Sequence, residues 1–114
     1  MSFASDIEEA AGEPIYEVVI GAFGWSEIDS ESEDVYGDED GKRAVSKEIR
    51  GLPISWKEAR PLLDYDYGSG FGAPDCHAIY AYSASKIIVI SEYDGATSCV
   101  ALPRHPSKCI PRMI

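Results

Sequence analysis

Hydrophobic and polar positions along the chain show their clearest pattern in its last third. Residues 77–82, 86–93 and 97–102 are rich in β-branched and aromatic side chains, and short polar links separate them. Asp94-Gly95 between the last two segments is a strong signal for a hairpin turn. The pattern predicts a three-stranded antiparallel meander. Residues 87–90 are apolar on both faces, which is typical of a central strand covered on both sides.

The first quarter of the chain predicts a short helix followed by a strand. Ser5 and Glu8 have the spacing of a capping box, and Gly12 is a suitable residue to end the helix. After Pro14, residues 15–20 form a β-branched and aromatic run, and we expect this strand to end at Gly21.

The middle of the chain predicts a second short helix. Ser55 and Glu58 form another capping-box pair. Pro61 restricts the helix to one or two turns. The side chains expected to face inward are Trp56, Ala59, Leu62 and Leu63. The preceding residues, 42–49, are compatible with either a strand or a short helix.

These elements predict a small single α+β domain over residues 1–114. Its antiparallel β-sheet contains the C-terminal meander and the N-terminal strand, and one or two short helices pack against it. Residues 22–41 are expected to form an acidic insertion within this domain rather than a linker between two domains.

Charge along the chain is strongly polarised. The chain carries 20 acidic and 10 basic side chains, for a net charge of −10. Residues 1–41 contain 13 of the acids and no Lys or Arg, so the remainder is mildly basic. This distribution argues against an autonomous binder of DNA, RNA or anionic lipid, because such binding needs a basic surface. It favours a basic protein partner, since charge of one sign steers the opposite sign toward it.

The acidic segment, defined as residues 26–40, concentrates eight carboxylates in fifteen residues. One interpretation is a solvated, flexible loop. The other is an ordered anionic surface that imitates nucleic-acid phosphates, since alternate residues of an extended chain project to one face. Calcium binding is disfavoured because Asp34 stands where an EF-hand loop needs Gly, and Asp40 stands where it needs Glu. No metal site or cofactor is therefore predicted.

The acidic segment and its flank also supply the predicted partner-binding residues. Trp25 and Tyr36 are the candidate apolar anchors, because binding hot spots favour Trp and Tyr. The full predicted set is Trp25, Glu27, Asp29, Glu31, Glu33, Asp34, Tyr36, Asp38, Glu39 and Asp40.

Motifs for catalysis are weak. The three cysteines form no CxxC pair, which disfavours both a zinc site and a disulfide framework. A glycine-rich run at 68–72 lacks the Lys-Ser/Thr of a phosphate-binding loop. We therefore expect a protein that is not an enzyme. The alternative is a small enzyme or ligand-sequestering protein that uses the region from Asp64 to His77.

Residues 52–106 carry a resemblance to a protein group. The matching residues are Trp56 with Glu58-Ala59, Leu62-Leu63-Asp64-Tyr65, Gly70-Phe71-Gly72-Ala73-Pro74-Asp75-Cys76-His77-Ala78, Ser91-Glu92-Tyr93-Asp94-Gly95-Ala96-Thr97 and Pro103-Arg104-His105-Pro106. This half of the chain resembles small phage and prophage proteins that have no assigned activity. The resemblance implies a mobile-element protein and carries over no catalytic residues.

In its small size and its acidity, the chain resembles in general character the inhibitors that phages deploy against CRISPR–Cas and restriction systems. This similarity leads us to expect a non-enzymatic, anti-CRISPR-like inhibitor that acts as a DNA mimic. Its partner would be a basic host protein such as a CRISPR–Cas effector, with no direct contact to nucleic acid or membrane. A structural or accessory phage protein is the other alternative. The chain lacks a signal-peptide pattern and a long apolar segment, which predicts a cytoplasmic location.

Overall fold

The computed structural model describes residues 2–24, 45–46, 48–68, 75–93 and 96–113. The described elements are α1 (Phe3–Ala11), β1 (Ile15–Phe23), β2 (Ile54–Ser55), α2 (Trp56–Leu63), β3 (His77–Ser83), β4 (Lys86–Tyr93) and β5 (Ala96–Pro103). The five strands form one antiparallel sheet in the order β2-β1-β3-β4-β5. The predicted α+β class is confirmed. The predicted meander corresponds to β3, β4 and β5, which form the larger part of this wider sheet.

Both helices pack on one face of the sheet, and the core lies between the helices and that face. Alternation of side chains along each strand directs one set toward the helices. Fully or almost fully buried residues on this inner face include Ile15, Val18, Ile20, Ile79, Ala81 and Ile88. They pack against Phe3 and Ile7 of α1 and against Ala59 and Leu63 of α2.

The opposite face of the sheet differs from its prediction. Residues 87–90 were expected to be covered on both sides. The described helices leave Val89, Val100 and Leu102 on the outer face partly exposed, and Tyr80 is 57% exposed. The apolar pattern of β4 therefore reflects its interior position in the sheet, between β3 and β5, not a second covering layer among the described elements.

Helix α1 begins earlier than its capping-box spacing predicts. Ser2 is the N-cap, and its side-chain oxygen accepts a hydrogen bond from the Ser5 backbone N–H at 3.1 Å. Ser5 lies inside the first turn, where its hydroxyl accepts from the Ser2 hydroxyl at 2.9 Å. Gly12 ends the helix in the left-handed region at φ 64°, as expected. The earlier start allows Phe3 to enter the core.

Strand β1 also runs further than predicted, through Gly21 to Phe23. Glycine is favoured at this position because β3 approaches closely. A Cβ at Gly21 would lie 3.3 Å from the carbonyl oxygen of Ala78. Gly21 therefore permits close contact between two strands instead of ending one of them.

Helix α2 starts where the sequence predicts, with the Ser55 hydroxyl accepting from the Glu58 N–H at 3.2 Å. Ala59 and Leu63 are buried as expected and Trp56 is partly buried, but Leu62 is 36% exposed, so its inward placement was wrong.

The connection that leads to β2 also differs from its prediction. The described part of residues 42–49 forms neither a strand nor a helix, although Val45 is buried. The two-residue strand β2 was missed, because so short a segment has no periodicity. Neither described helix is long and apolar enough to cross a membrane.

Candidate functional site

All ten residues predicted to bind a partner, Trp25 to Asp40, lie outside the described residues. The structure does describe the chain on both sides of them. The Gly24 N–H donates to the Cys76 carbonyl at 2.9 Å. Beyond the acidic segment, Val45 is 1% exposed, and its carbonyl accepts from Arg50 Nε at 2.7 Å. The described residues on either side of the predicted site, Gly24 and Val45, are therefore both held in place by contacts within the domain.

Several N-terminal acids serve the fold and are not left as a free anionic surface. Glu8 accepts hydrogen bonds from Trp56 Nε1 at 3.2 Å and from Arg60 Nε at 3.1 Å, which joins α1 to α2. Arg60 also pairs with Asp64 at 3.4 Å. Asp64 from the alternative site is thus part of an ion-pair network between the helices.

Glu13 links the end of α1 to the turn between β3 and β4. Its carboxylate accepts hydrogen bonds from the hydroxyls of Ser83, at 2.9 Å, and Ser85. These hydroxyl donors, Ser85 first, lower the pKa of Glu13 below its usual value because they stabilise the ionised form. Lys86 closes the same corner by donating to the Ala11 carbonyl at 2.9 Å.

Tyr65 and His77, from the region proposed for the alternative function, form a structural pair in which the histidine is buried and the tyrosine is partly buried. The Tyr65 hydroxyl lies 2.8 Å from His77 Nδ1 and accepts from the His77 backbone N–H at 3.0 Å. Phe23 packs edge-on against the imidazole, with ring centroids 5.0 Å apart. His77 is 0% exposed, so its side chain is not reachable from solvent. These contacts give Tyr65 and His77 a role in stabilising the fold, and neither residue needs a catalytic role to account for its position.

A polar depression of about 480 Å³ lies between α1 and the edge strand β5. We call it the α1–β5 depression; it is lined by Asp6, Glu9, Ala10, Tyr67, Thr97, Ser98 and Cys99. It contains two carboxylates and no basic side chain. The Tyr67 hydroxyl donates to Asp6 Oδ2 at 2.6 Å, and this hydrogen bond fixes the carboxylate in place.

Protonation in the α1–β5 depression is shifted by burial. Burial, followed by the hydrogen bond to Asp6, raises the pKa of the Tyr67 phenol above its usual value. Burial raises the pKa of the Cys99 thiol to about 11, which makes it a poor nucleophile. Thr97 Oγ1 is buried and has no hydrogen-bond partner within the described chain. The depression can bind hydrogen-bond donors and cations, but it holds no activated nucleophile.

No pattern in the sequence indicates this depression. Its members come from α1, from the connection after α2 and from β5, and none of them forms a local motif. Only Tyr67 falls within the region proposed for the alternative function. The other lining residues come together only through long-range packing, which no local sequence pattern reports.

Basic residues at the C-terminus lie at the other end of β5. Arg104 donates to the Ser83 carbonyl at 2.6 Å and stacks 5.5 Å from the centre of the Tyr82 ring. His105, Lys108 and Arg112 are exposed. We call residues 104–113 the basic tail.

The three cysteines do not form a disulfide. Cys76 is buried, Cys99 is partly buried and Cys109 is exposed. Within the part of the chain that the structure describes, no group of three or more His, Cys, Asp or Glu residues is arranged to hold a metal ion.

Comparisons with known proteins leave the chain without an assigned family: no family model, no curated protein and no solved structure matches it. The resemblance of residues 52–106 to phage proteins therefore remains an expectation from the sequence.

Proposed function

We propose that the protein is a non-enzymatic inhibitor that binds a basic, nucleic-acid-handling host protein through its acidic segment. The observation that carries the proposal is the segregation of charge, with 13 acids and no Lys or Arg in residues 1–41. An acidic segment speeds association with a basic groove and competes with nucleic acid for it. A CRISPR–Cas effector is the most concrete partner of this class.

The described residues that flank the acidic segment support the proposal. Gly24 and Val45 are fixed to the body of the domain, so a partner bound through the acidic segment would be held beside the domain. Trp25 and Tyr36 add the aromatic side chains that can anchor such a contact.

The use of other acids by the fold also supports this assignment. Asp6, Glu8 and Glu13 are held by Tyr67, by Arg60, and by Ser83 at the end of β3 with Ser85 just after it, respectively. Each of these carboxylates already has a partner within the domain, which leaves less of its charge available to a basic protein, so the acidic segment is the better binding surface.

The experiment that tests the proposal neutralises three carboxylates at a time. Glu31→Gln, Glu33→Gln and Asp34→Asn are combined in one variant. The matched control combines Glu48→Gln, Glu58→Gln and Glu92→Gln, three exposed carboxylates outside the acidic third. Both variants lose the same charge. The measurement is displacement of a labelled DNA duplex from a purified CRISPR–Cas effector, at about 0.15 M and about 1 M NaCl.

The proposal expects the acidic-segment variant to inhibit about tenfold more weakly than the wild type, and the control to inhibit normally. High salt should weaken inhibition by the wild type, because salt screens exposed charges. Equal inhibition by both variants would rule out the acidic segment as the binding surface.

Ligand binding is the second candidate function. The observation that favours it is that Tyr67 and Asp6 form a fixed hydrogen-bonding pair in the α1–β5 depression. If the protein sequesters a small cation there, Asp6→Asn will abolish ligand-induced thermal stabilisation while the acidic-segment variant retains it. No stabilisation of the wild type by a panel of organic amines would eliminate this candidate.

A further inference from the structure

The exposed edge of the sheet at β5 has the features of an interface. β5 is eight residues long, Ala96–Pro103, and forms the end of the sheet order. It contains no charged side chain. Edge strands normally carry charges, bulges or covering elements that prevent pairing with another chain. None of the described strands pairs with its outer side.

The apolar outer face continues up to this edge. Val100 and Leu102 of β5 lie beside Val89 and Ile87 of β4, and all four side chains are partly exposed. A strand added at the edge would extend this face and cover part of it.

We propose that β5 pairs antiparallel with β5 of a second copy of this chain, and that the two sheets join into one. This inference is independent of the proposed inhibitory function. The pairing is isologous, because each β5 presents the same edge to the other. It closes at two chains, since the other edge of the sheet is β2, which has only two residues.

Charge complementarity selects a second copy as the occupant. The acidic α1–β5 depression lies at the start of β5, beside Thr97, and the basic tail follows its end at Pro103. In one chain the two are separated by the length of the strand, about 24 Å. Antiparallel pairing of two copies places the basic tail of each beside the depression of the other. Asp6 and Glu9 then face Lys108 and Arg112 from the partner copy.

The first test is the mass of the full chain in solution. Sedimentation equilibrium at about 100 µM protein should give twice the 12.4 kDa of one chain. Ser98→Lys with Val100→Lys places four like charges around the two-fold axis and should raise the dimer Kd about a hundredfold. The matched control, Leu52→Lys with Leu62→Lys, adds the same charge at exposed sites far from β5 and should remain dimeric.

Two further measurements separate the possible outcomes. In the wild type, amide hydrogen exchange in β5 should become faster on dilution, a readout that needs no substitution. Lys108→Glu with Arg112→Glu should raise the dimer Kd about tenfold by reversing the charge of the basic tail. An unchanged Kd in this variant would overturn the assignment of the tail to the depression.

A monomeric wild type at this concentration overturns the proposal, and so does a dimer that survives Ser98→Lys with Val100→Lys. Tyr80 lies on the outer face, two strands from the β5 edge. Tyr80→Lys therefore adds a charge to the face and leaves the edge unchanged. If only this variant dissociates the dimer, the two copies pack face to face and the edge pairing is wrong.

Discussion

At the scale of single residues, polar side chains near the core act as fixed connections between distant parts of the chain. Tyr65 and His77 are the most buried example, because one hydroxyl bonds both the ring and the backbone N–H of the same histidine. A buried polar group left without its partner costs more than the hydrogen bond itself contributes. The stability of the domain therefore depends on a few hydroxyls.

Tyr65→Phe should lower the free energy of unfolding by about 1–3 kcal/mol, because it leaves two His77 nitrogens without their hydroxyl partner. The measurement is urea denaturation followed by circular dichroism. Tyr80→Phe, which removes a hydroxyl from a side chain that is 57% exposed, is the control and should change stability little. Equal effects of the two substitutions would contradict the structural role of Tyr65.

Glu13 predicts a dependence of stability on pH. Its pKa is lowered in the folded state by the Ser85 and Ser83 hydroxyls, from an ordinary value of 4.5. The contribution of Glu13 is therefore fully present above pH 4.5 and is lost as pH falls through the lower, folded-state pKa. Glu13→Gln should flatten this part of the stability profile, measured by thermal unfolding across acidic pH. An unchanged slope in Glu13→Gln would contradict this role of Glu13.

At the scale of elements, local signals place the helices well but misplace some of their ends. Ser55 caps α2 as its spacing predicts, whereas α1 begins at Ser2 and not at Ser5. Both serines precede a helical run, so the sequence pattern alone does not separate them. Docking of Phe3 against the ring of Tyr65, 5.5 Å away, favours the earlier start.

Ser2→Ala should lower the free energy of unfolding by about 1 kcal/mol, because it removes the acceptor for the Ser5 N–H. Ser5→Ala should cost less, since alanine is the best helix former at an interior position. The two variants are compared by denaturant unfolding. A larger loss from Ser5→Ala would place the cap where the sequence pattern put it.

At the scale of the whole molecule, the sheet has two unequal faces. The helices bury most of one face, where Ile90, Cys99 and Ala101 remain partly exposed, whereas the described elements leave the other face partly exposed along most of its length. Neighbouring residues of the same strand therefore differ sharply in environment: Ile88 is 0% exposed and Val89 is partly exposed. The proposed dimer uses the edge of the sheet and part of this second face.

Ile88→Ala should cost about 2–5 kcal/mol, because it opens a cavity in the centre of the core. Val89→Ala, which truncates a side chain on the outer face, should cost about 1 kcal/mol or less. Chemical denaturation of both variants at a fixed protein concentration gives the comparison. A similar loss at the two positions would indicate that both faces are equally covered.

The sequence by itself determined the features that depend on neighbouring residues. These are the three strands of the meander, the cap of α2, the α+β class and the polarisation of charge. Each rests on periodicity, turn residues or composition, which are local properties. For the same reason, one-sided burial of β4 and the extension of β1 through Gly21 were not predicted, since both depend on which elements pack beside the strand.

Only the tertiary structure decided which distant groups meet. Asp6 and Tyr67 are 61 positions apart, yet their side chains lie 2.6 Å from each other. Glu8 reaches Arg60 across 52 positions, so one of the acids that give residues 1–41 their negative charge is committed to the fold. Such contacts follow from the packing of helices on a sheet, which brings together residues with no relation in sequence. The same packing places an acidic depression at one end of an uncharged edge strand and a basic tail at the other.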